Sequence, residues 1–144
     1  MLDPSYIVGL VDGEGSFTVY IRNPDDKKKV KRRVVVEPRF YIKLVERDKR
    51  IFYELMSFFR CGNVYIQRDR RTNRQNCYRY EVGKRADLEN IIIPFFKKHP
   101  PFLSSKREDF AIFCKLMEGI KRRKHLFQNG LRELYKMKSK MHQH

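Results

Sequence analysis

The sequence predicts an α+β fold in the order αββαββα, with a four-stranded antiparallel sheet, helices on one face and extra helices at the C-terminus. A helical pattern followed by two alternating strands occurs twice along the chain, and each strand has apolar side chains on one face only. The 144 residues fit one domain, residues 1–144, and 41% apolar residues are enough to form its core.

The first repeat starts at Asp3 and Pro4, a capping carboxylate followed by a residue suited to the first helical position. Its helix is expected to run from about Pro4 to Asp12. Residues 16–22 and 34–45 then alternate between apolar and polar side chains, which predicts two strands joined by a polar connection. The inward side chains of these strands are Phe17, Val19, Ile21, Phe40, Ile42 and Leu44.

The second repeat has the same order. Asp48 is expected to cap a helix that Gly62 ends. Residues 64–67 and 77–82 alternate, so they predict a hairpin whose turn lies within residues 69–75.

Three further helices complete the prediction. The first covers residues 86–98, where Pro94 limits its regularity. Residues 105–108 have the form of a capping box, which places Lys106 in the first turn of the next helix. Apolar spacing over residues 131–138 predicts a short final helix.

The charge indicates a polyanionic partner. With 33 Lys and Arg against 17 Asp and Glu, the net charge is +16, which fits nucleic acid or an anionic membrane surface. We expect no membrane association, because the longest apolar stretches are too short to span a bilayer and the basic residues are spread along the chain.

The cysteines indicate an intracellular, reducing compartment, either a prokaryotic cytoplasm or an organelle matrix. Cys61, Cys77 and Cys114 are odd in number and widely spaced, so reduced thiols are expected. No secretory signal is evident at the N-terminus, which carries Asp3 and no basic residue before its apolar segment.

The sheet face turned away from the helices is predicted to bind double-stranded DNA, because it mixes cations with planar and hydrogen-bonding groups that can contact phosphates and base edges. The alternative is an ordinary solvated sheet face. Basic runs at residues 27–33 and 68–74 extend from the same hairpins and favour the first interpretation. The candidate DNA-binding residues are Thr18, Tyr20, Arg22, Arg33, Val35, Glu37, Arg39, Tyr41, Lys43, Tyr65, Gln67, Arg68, Arg70, Cys77 and Arg79.

Two glycines mark one face of the first helix. Gly9 and Gly13 are four residues apart, and each costs the helix about 1 kcal/mol relative to alanine. Such a cost predicts close approach of another backbone, either a second copy of this helix in an isologous dimer or another helix of the same chain. Val8, Gly9, Asp12 and Gly13 are the candidate dimer-interface residues.

Asp12 and Glu14 form an acidic island, since no Lys or Arg precedes Arg22. Carboxylate oxygens select hard cations, Mg²⁺ above all, which also binds phosphate oxygens and water. Glu14 is therefore a candidate metal ligand, with Mn²⁺ or Ca²⁺ able to substitute in binding. Asp12 has an alternative role as a group that caps a helix end.

The segment from Val8 to Gly15 follows the motif of the LAGLIDADG homing endonucleases position by position, and the chain resembles the single-motif members of that family. The resemblance implies a homing-endonuclease fold with a saddle-like sheet. It also implies a homodimer that binds a long pseudo-palindromic duplex site and makes a metal-dependent double-strand break with short 3′ overhangs. An intron or an intein would encode such a protein.

The resemblance also assigns site residues. Glu14 would be the metal-binding acid, with the Gly13 carbonyl nearby, and Lys106 matches the active-site lysine region. The alternative for Lys106 is a solvated first-turn lysine. Leu44 stands where the family often has a polar residue, and that role passes to a neighbour among Lys43, Glu46, Arg47 and Lys49, of which Lys49 is the catalytic candidate.

Two other functions fit parts of this pattern. A catalytically silent protein of the same fold, an intron RNA maturase or a DNA-binding regulator, would bind RNA or DNA without cleaving it. A basic ribosome-associated or structural RNA-binding protein would account for the charge, but not for Gly9, Gly13 and Glu14.

Overall fold

A computed structural model describes residues 1–26, 35–68 and 75–143. The candidates Arg33 and Arg70, with most of both basic runs, lie outside the described residues. The helices and strands are α1 (Pro4–Glu14), β1 (Gly15–Ile21), β2 (Val36–Val45), α2 (Arg50–Phe59), β3 (Asn63–Gln67), β4 (Cys77–Val82), α3 (Arg85–Asp87), α4 (Ile93–Lys98), α5 (Ser104–Lys121) and α6 (Gln128–Lys138).

The four strands form one antiparallel sheet in the order β1-β2-β4-β3. The two repeats therefore meet at the centre of the sheet, where β2 pairs with β4, and each hairpin contributes one edge strand. The predicted α+β class and the element order are confirmed.

The core lies between the sheet and the helices. Phe17 of β1 is fully buried, and its ring centroid lies 5.2 Å from that of Phe96 in α4 and 5.0 Å and 5.5 Å from those of Phe110 and Phe113 in α5. Burial alternates strictly along β1, as the sequence predicted. Alternate strand residues thus pack under the helices, and the intervening ones form the opposite face.

A π-helical turn, Leu88–Ile92, connects α3 to α4. The N–H of Ile93 donates to the carbonyl of Leu88, five residues back, immediately before Pro94. Pro94 has no N–H to continue an α-helical ladder, so the helix widens by one residue here. The predicted irregularity is confirmed.

Three predicted helix boundaries were wrong. Asp48 lies in a 3₁₀ turn, Glu46–Asp48, and no side chain caps α2. The left-handed residue that ends α2 is Arg60, at φ 57°, and not Gly62. The capping box at Ser105 does not form, because α5 begins two residues earlier, at Ser104, with Leu103 as its N-cap.

Gly62 instead makes room for a buried tyrosine. Its φ is +91°, and a Cβ there would lie 2.7 Å from Cε2 of Tyr80. The Tyr80 hydroxyl donates to the Cys61 carbonyl at 2.8 Å, and burial raises the pKa of that hydroxyl above its ordinary value. Gly62 is therefore required for packing at the start of β3 and not for ending a helix.

Two further expectations concern membrane association and the state of the cysteines. No helix among residues 1–26, 35–68 and 75–143 is long and apolar enough to cross a membrane. Cys61, Cys77 and Cys114 are unpaired thiols, and burial raises the pKa of Cys61 and Cys114.

We predict that Gly62→Ala lowers the free energy of unfolding by about 2–4 kcal/mol, because the new methyl group meets Tyr80 and the backbone is left-handed. Urea titration measures this change. Gly9→Ala is the matched control when both variants are measured at a concentration too low for dimers: a Cβ at Gly9 meets nothing within 4 Å in its own subunit, so this variant should gain about 0.5–1 kcal/mol. Equal effects of the two substitutions would contradict this account of Gly62.

Candidate active site and nucleic-acid interface

The last turn of α1 presents Glu14 to solvent. α1 ends at Glu14 and β1 begins at Gly15 without a linker, so the carboxylate lies at the edge of the sheet. Glu14 is exposed and makes no hydrogen bond or ion pair with the described part of the chain. Gly13 is in the final turn, where helix carbonyls have no partner within the helix. Both candidate metal-binding groups thus stand free at one helix end.

Asp12 connects α1 to the segment that leads into α5. Its Oδ2 accepts the backbone N–H of Phe102 at 3.0 Å, and its Oδ1 accepts that of Leu103 at 3.4 Å. The structure therefore gives Asp12 a capping role, at the entrance to α5 and not at the end of its own helix.

Lys106 makes a second connection between the same two regions. It lies in the first turn of α5, as predicted, and its Nζ donates to the carbonyl of Gly15. Glu14 therefore lies between two attachments, Asp12 on one side and Gly15 on the other. Of the three catalytic candidates, Lys106 is thus bound to the residue next to Glu14, although Lys106 and Glu14 are 92 positions apart.

A shallow pocket of about 280 Å³ opens beside Glu14. Lys43 and Leu44 at the end of β2, together with Asp48, contribute to its lining. Lys43 is thus the member of the predicted set that shares a pocket with Glu14. Lys49 instead pairs with Glu46 at 3.9 Å and lies 4.8 Å from the Tyr78 ring centroid, so its catalytic role stays a prediction.

Glu14 and the Gly13 carbonyl supply only some of the ligands that a divalent cation needs. The described residues contain no group of three or more His, Cys, Asp or Glu side chains that could hold a metal ion. Mg²⁺ in phosphoryl-transfer sites takes one or two protein carboxylates and completes its shell with phosphate oxygens and water. One carboxylate and one free carbonyl per subunit fit that requirement if a nucleic-acid phosphate supplies the rest.

The glycine face of α1 is open. A Cβ at Gly9 or at Gly13 would meet nothing within 4 Å, so no described part of the chain makes the close approach that the sequence predicted. Packing on another described helix is thereby excluded as the reason for these glycines. Val8 is 3% exposed within the subunit, so it has little surface left to bury against a partner, and its place in a dimer interface stays a prediction.

The outer face of the sheet, opposite the helices, carries the predicted DNA-binding side chains. Strand pairing sets Lys43, Arg79 and Tyr65 in one row across β2, β4 and β3. The Arg79 guanidinium lies 3.9 Å from the Tyr41 ring centroid, which holds both groups in a fixed stack. The described candidates on this face are half-buried or exposed: Thr18, Tyr20, Arg22, Val35, Glu37, Arg39, Tyr41, Lys43, Tyr65, Gln67, Arg68, Cys77 and Arg79.

The sequence did not identify Glu81, the acid that holds two arginines in position on this face. Glu81 accepts from Arg39 at 3.3 Å and from Arg79 at 3.4 Å, and Arg39 also pairs with Glu37. The only signal in the sequence was the alternation of Glu81 with Arg79 and Cys77 on one face of β4. Asp48 was also missed as a neighbour of Glu14, because its proximity depends on the 3₁₀ turn.

The fold and the site together define a homing-endonuclease module. The crystal structure of the homing endonuclease I-TnaI is similar to 98% of this chain and 88% of that chain, with TM-score 0.77 and 32% identity. I-SmaMI bound to its uncleaved DNA target in the presence of calcium ions matches 99% of this chain and 45% of that chain, with TM-score 0.80 and 28% identity.

A family model described as LAGLIDADG endonuclease matches residues 7–117, and the chain belongs to this family. The matched range includes both Glu14 and Lys106. Among curated proteins, "Probable intron-encoded endonuclease 2" of Neurospora crassa is 34% identical over 135 residues, which cover 92% of this chain. The chain spans only 28% of the length of that relative.

We predict that Asp12→Ala lowers the free energy of unfolding by about 1–2 kcal/mol, because Phe102 and Leu103 lose a charged acceptor. Urea titration measures the loss. Glu14→Ala is the control, since the Glu14 carboxylate has no described partner and its removal should leave stability unchanged. If Glu14→Ala were as destabilising as Asp12→Ala, the proposed difference between the two acids would be wrong.

Proposed function

We propose that this protein is an intron-encoded, site-specific endonuclease that binds a long pseudo-palindromic duplex DNA site as a homodimer. In the presence of Mg²⁺ it makes a double-strand break with short 3′ overhangs. The observation that carries the proposal is the placement of Glu14 and Lys106 together at the edge of a basic sheet, beside an open glycine face. The unpaired thiols support an intracellular, reducing location.

The outer face of the sheet would supply DNA recognition. Its cations contact phosphates, and its planar and amide groups reach base edges in the major groove. The pairing of Arg39 and Arg79 with Glu81 holds their guanidinium groups in defined positions, which suits direct readout better than freely rotating charges do.

The chemistry would occur at Glu14. Glu14 and the Gly13 carbonyl would hold the divalent cation, which supplies an activated water and stabilises the leaving oxygen when it is bound. Lys106 is fixed one residue away by the Gly15 carbonyl, where its charge can stabilise negative charge that develops on the phosphate. Lys43 adds a second cation to the same pocket.

Each subunit provides one such acid, so cleavage of two strands requires two copies of the site. The open face of Gly9 and Gly13 allows a second α1 to cross at close range, and this crossing brings the two Glu14 residues to neighbouring positions. Backbone contact at the glycines replaces the side-chain contacts that a helix normally makes.

We predict that Glu14→Gln reduces Mg²⁺-dependent cleavage of duplex DNA by at least about 10²-fold, since several kcal/mol of metal-dependent stabilisation is lost. A site selected by cleavage from a randomised duplex library is the substrate, and binding to it without a divalent cation should survive the substitution, because the contacts of the sheet with DNA are unchanged. Cleavage at the wild-type rate would rule out Glu14 as the metal ligand. Binding of DNA or RNA by a wild-type protein that cuts no duplex would instead favour the silent regulator or maturase.

We predict that Gly9→Leu converts the dimer to a folded monomer, because the added side chain occupies the space that the partner helix needs. Light scattering during gel filtration measures the mass, and cleavage should fall with dimer formation. Ala111→Leu, on the exposed side of α5, is the matched control for added apolar surface. Wild-type protein that is monomeric at concentrations where it cleaves both strands would contradict the homodimer.

A further inference from the structure

We propose that α6 is a positioning element for DNA recognition, which holds the outer end of the β1–β2 hairpin through Arg132 and Gln128. The inference rests on the proposed function, and it concerns a helix that lies beyond residues 7–117, the range that matches the family. None of the candidate DNA-binding residues belongs to α6.

Two adjacent turns of α6 contact the chain just after β1. Arg132 donates to Oδ1 of Asp25 from both Nε, at 3.1 Å, and Nη2, at 2.8 Å. Gln128 donates from Nε2 to the carbonyl of Pro24 at 2.9 Å. Residues four apart share one stripe of a helix, so the two contacts act on the same two neighbouring residues of the hairpin.

The hairpin end that receives these contacts has its own defined turn. The N–H of Arg22 donates to the Val35 carbonyl at 2.9 Å, which closes the ladder between the strands. The Asn23 side chain then accepts the N–H of Asp25 at 3.0 Å. Because this turn fixes Asp25, the bond from Arg132 holds the first residues that follow β1 in a defined position on α6.

The other side of α6 is held firmly against α5. Leu134 is 1% exposed and packs so closely on Gly119 that a Cβ there would lie 2.6 Å from its Cδ2. Gly130 lies against the Lys124 carbonyl with no room for a side chain. α5 carries Lys106 in its first turn, so α6 connects the helix of the candidate active site to the far end of the DNA-reading hairpin.

The bond from Arg132 also compensates the negative charge of Asp25. Asp25 is an acid next to a basic run, and an unpaired carboxylate there would repel DNA phosphates. Arg132 compensates this charge. At the far end of α6, Lys138 Nζ lies 5.8 Å from the ring centroid of Tyr20, so the helix follows the hairpin from its turn back along β1.

The expected size of the effect is modest. Arg132 and Asp25 side chains are 53% and 65% exposed, and exposed ion pairs seldom contribute more than about 1 kcal/mol. Loss of the bond should therefore weaken binding about three- to fivefold, a change that requires matched controls.

The test compares Arg132→Ala with Lys136→Ala in the protein of residues 1–144. Both substitutions remove one positive charge from α6, but Lys136 makes no side-chain bond to the hairpin in the described structure. The probes are the cleavage-selected duplex and the same duplex with its outermost base pairs replaced. Hydrogen exchange of the backbone amides of residues 22–26 gives a readout that needs no DNA.

We expect Arg132→Ala to accelerate exchange in residues 22–26 and to weaken binding of the selected duplex about three- to fivefold more than Lys136→Ala does, whereas on the end-replaced duplex the two variants should lose the same affinity. Lys136→Ala should leave exchange unchanged and weaken both duplexes equally. Combining Asp25→Arg with Arg132→Asp should restore most of the selected-site affinity, and cleavage at saturating enzyme should not change.

Equal behaviour of Arg132→Ala and Lys136→Ala in exchange and in binding would overturn the positioning role while leaving the endonuclease intact. A swapped pair that binds no better than Arg132→Ala would also overturn it. Failure of the wild-type protein to bind or cut any duplex would count against the proposed function, whereas the exchange experiment would still decide whether α6 holds the hairpin.

Discussion

The structure depends on the double connection between the base of α1 and the start of α5. Asp12 accepts two backbone N–H groups ahead of α5, and Lys106 returns a bond to the Gly15 carbonyl. These reciprocal contacts fix the junction of α1 and β1, where Glu14 lies. Without them, an exposed carboxylate at a helix end would have no defined position relative to the lysine, the pocket or the sheet.

This connection also separates the roles of two acids that look equivalent in the chain. Asp12 is engaged in structure, whereas Glu14 is left free to bind a ligand. On the outer face of the sheet Glu81 likewise has a structural role, because it pairs with Arg39 and Arg79.

Gly9 and Gly13 of α1 bear on how the protein would associate with a second copy. Their open face costs helix stability and brings no packing benefit among the described residues, and this is why we propose a second copy of the chain as their partner. In that proposal the position of the glycines matters for the chemistry: Gly13 is adjacent to Glu14, so close helix crossing there would set the separation of the two acids.

The sequence by itself determined the α+β order, the buried side chains of β1 and most of those of β2 and β4, and the selection of Glu14 and Lys106, because hydrophobic alternation and motif spacing are local properties. It misjudged the ends of helices, as at Asp48, Gly62 and Ser105, where a distant group competes with the local signal. Tertiary structure alone decided that Asp12 caps a segment 90 residues away and that Glu81 collects two arginines from different strands. It also decided that α6 contacts Asp25 across 107 residues. These contacts depend on how separate elements pack, and no local pattern of residues encodes that packing.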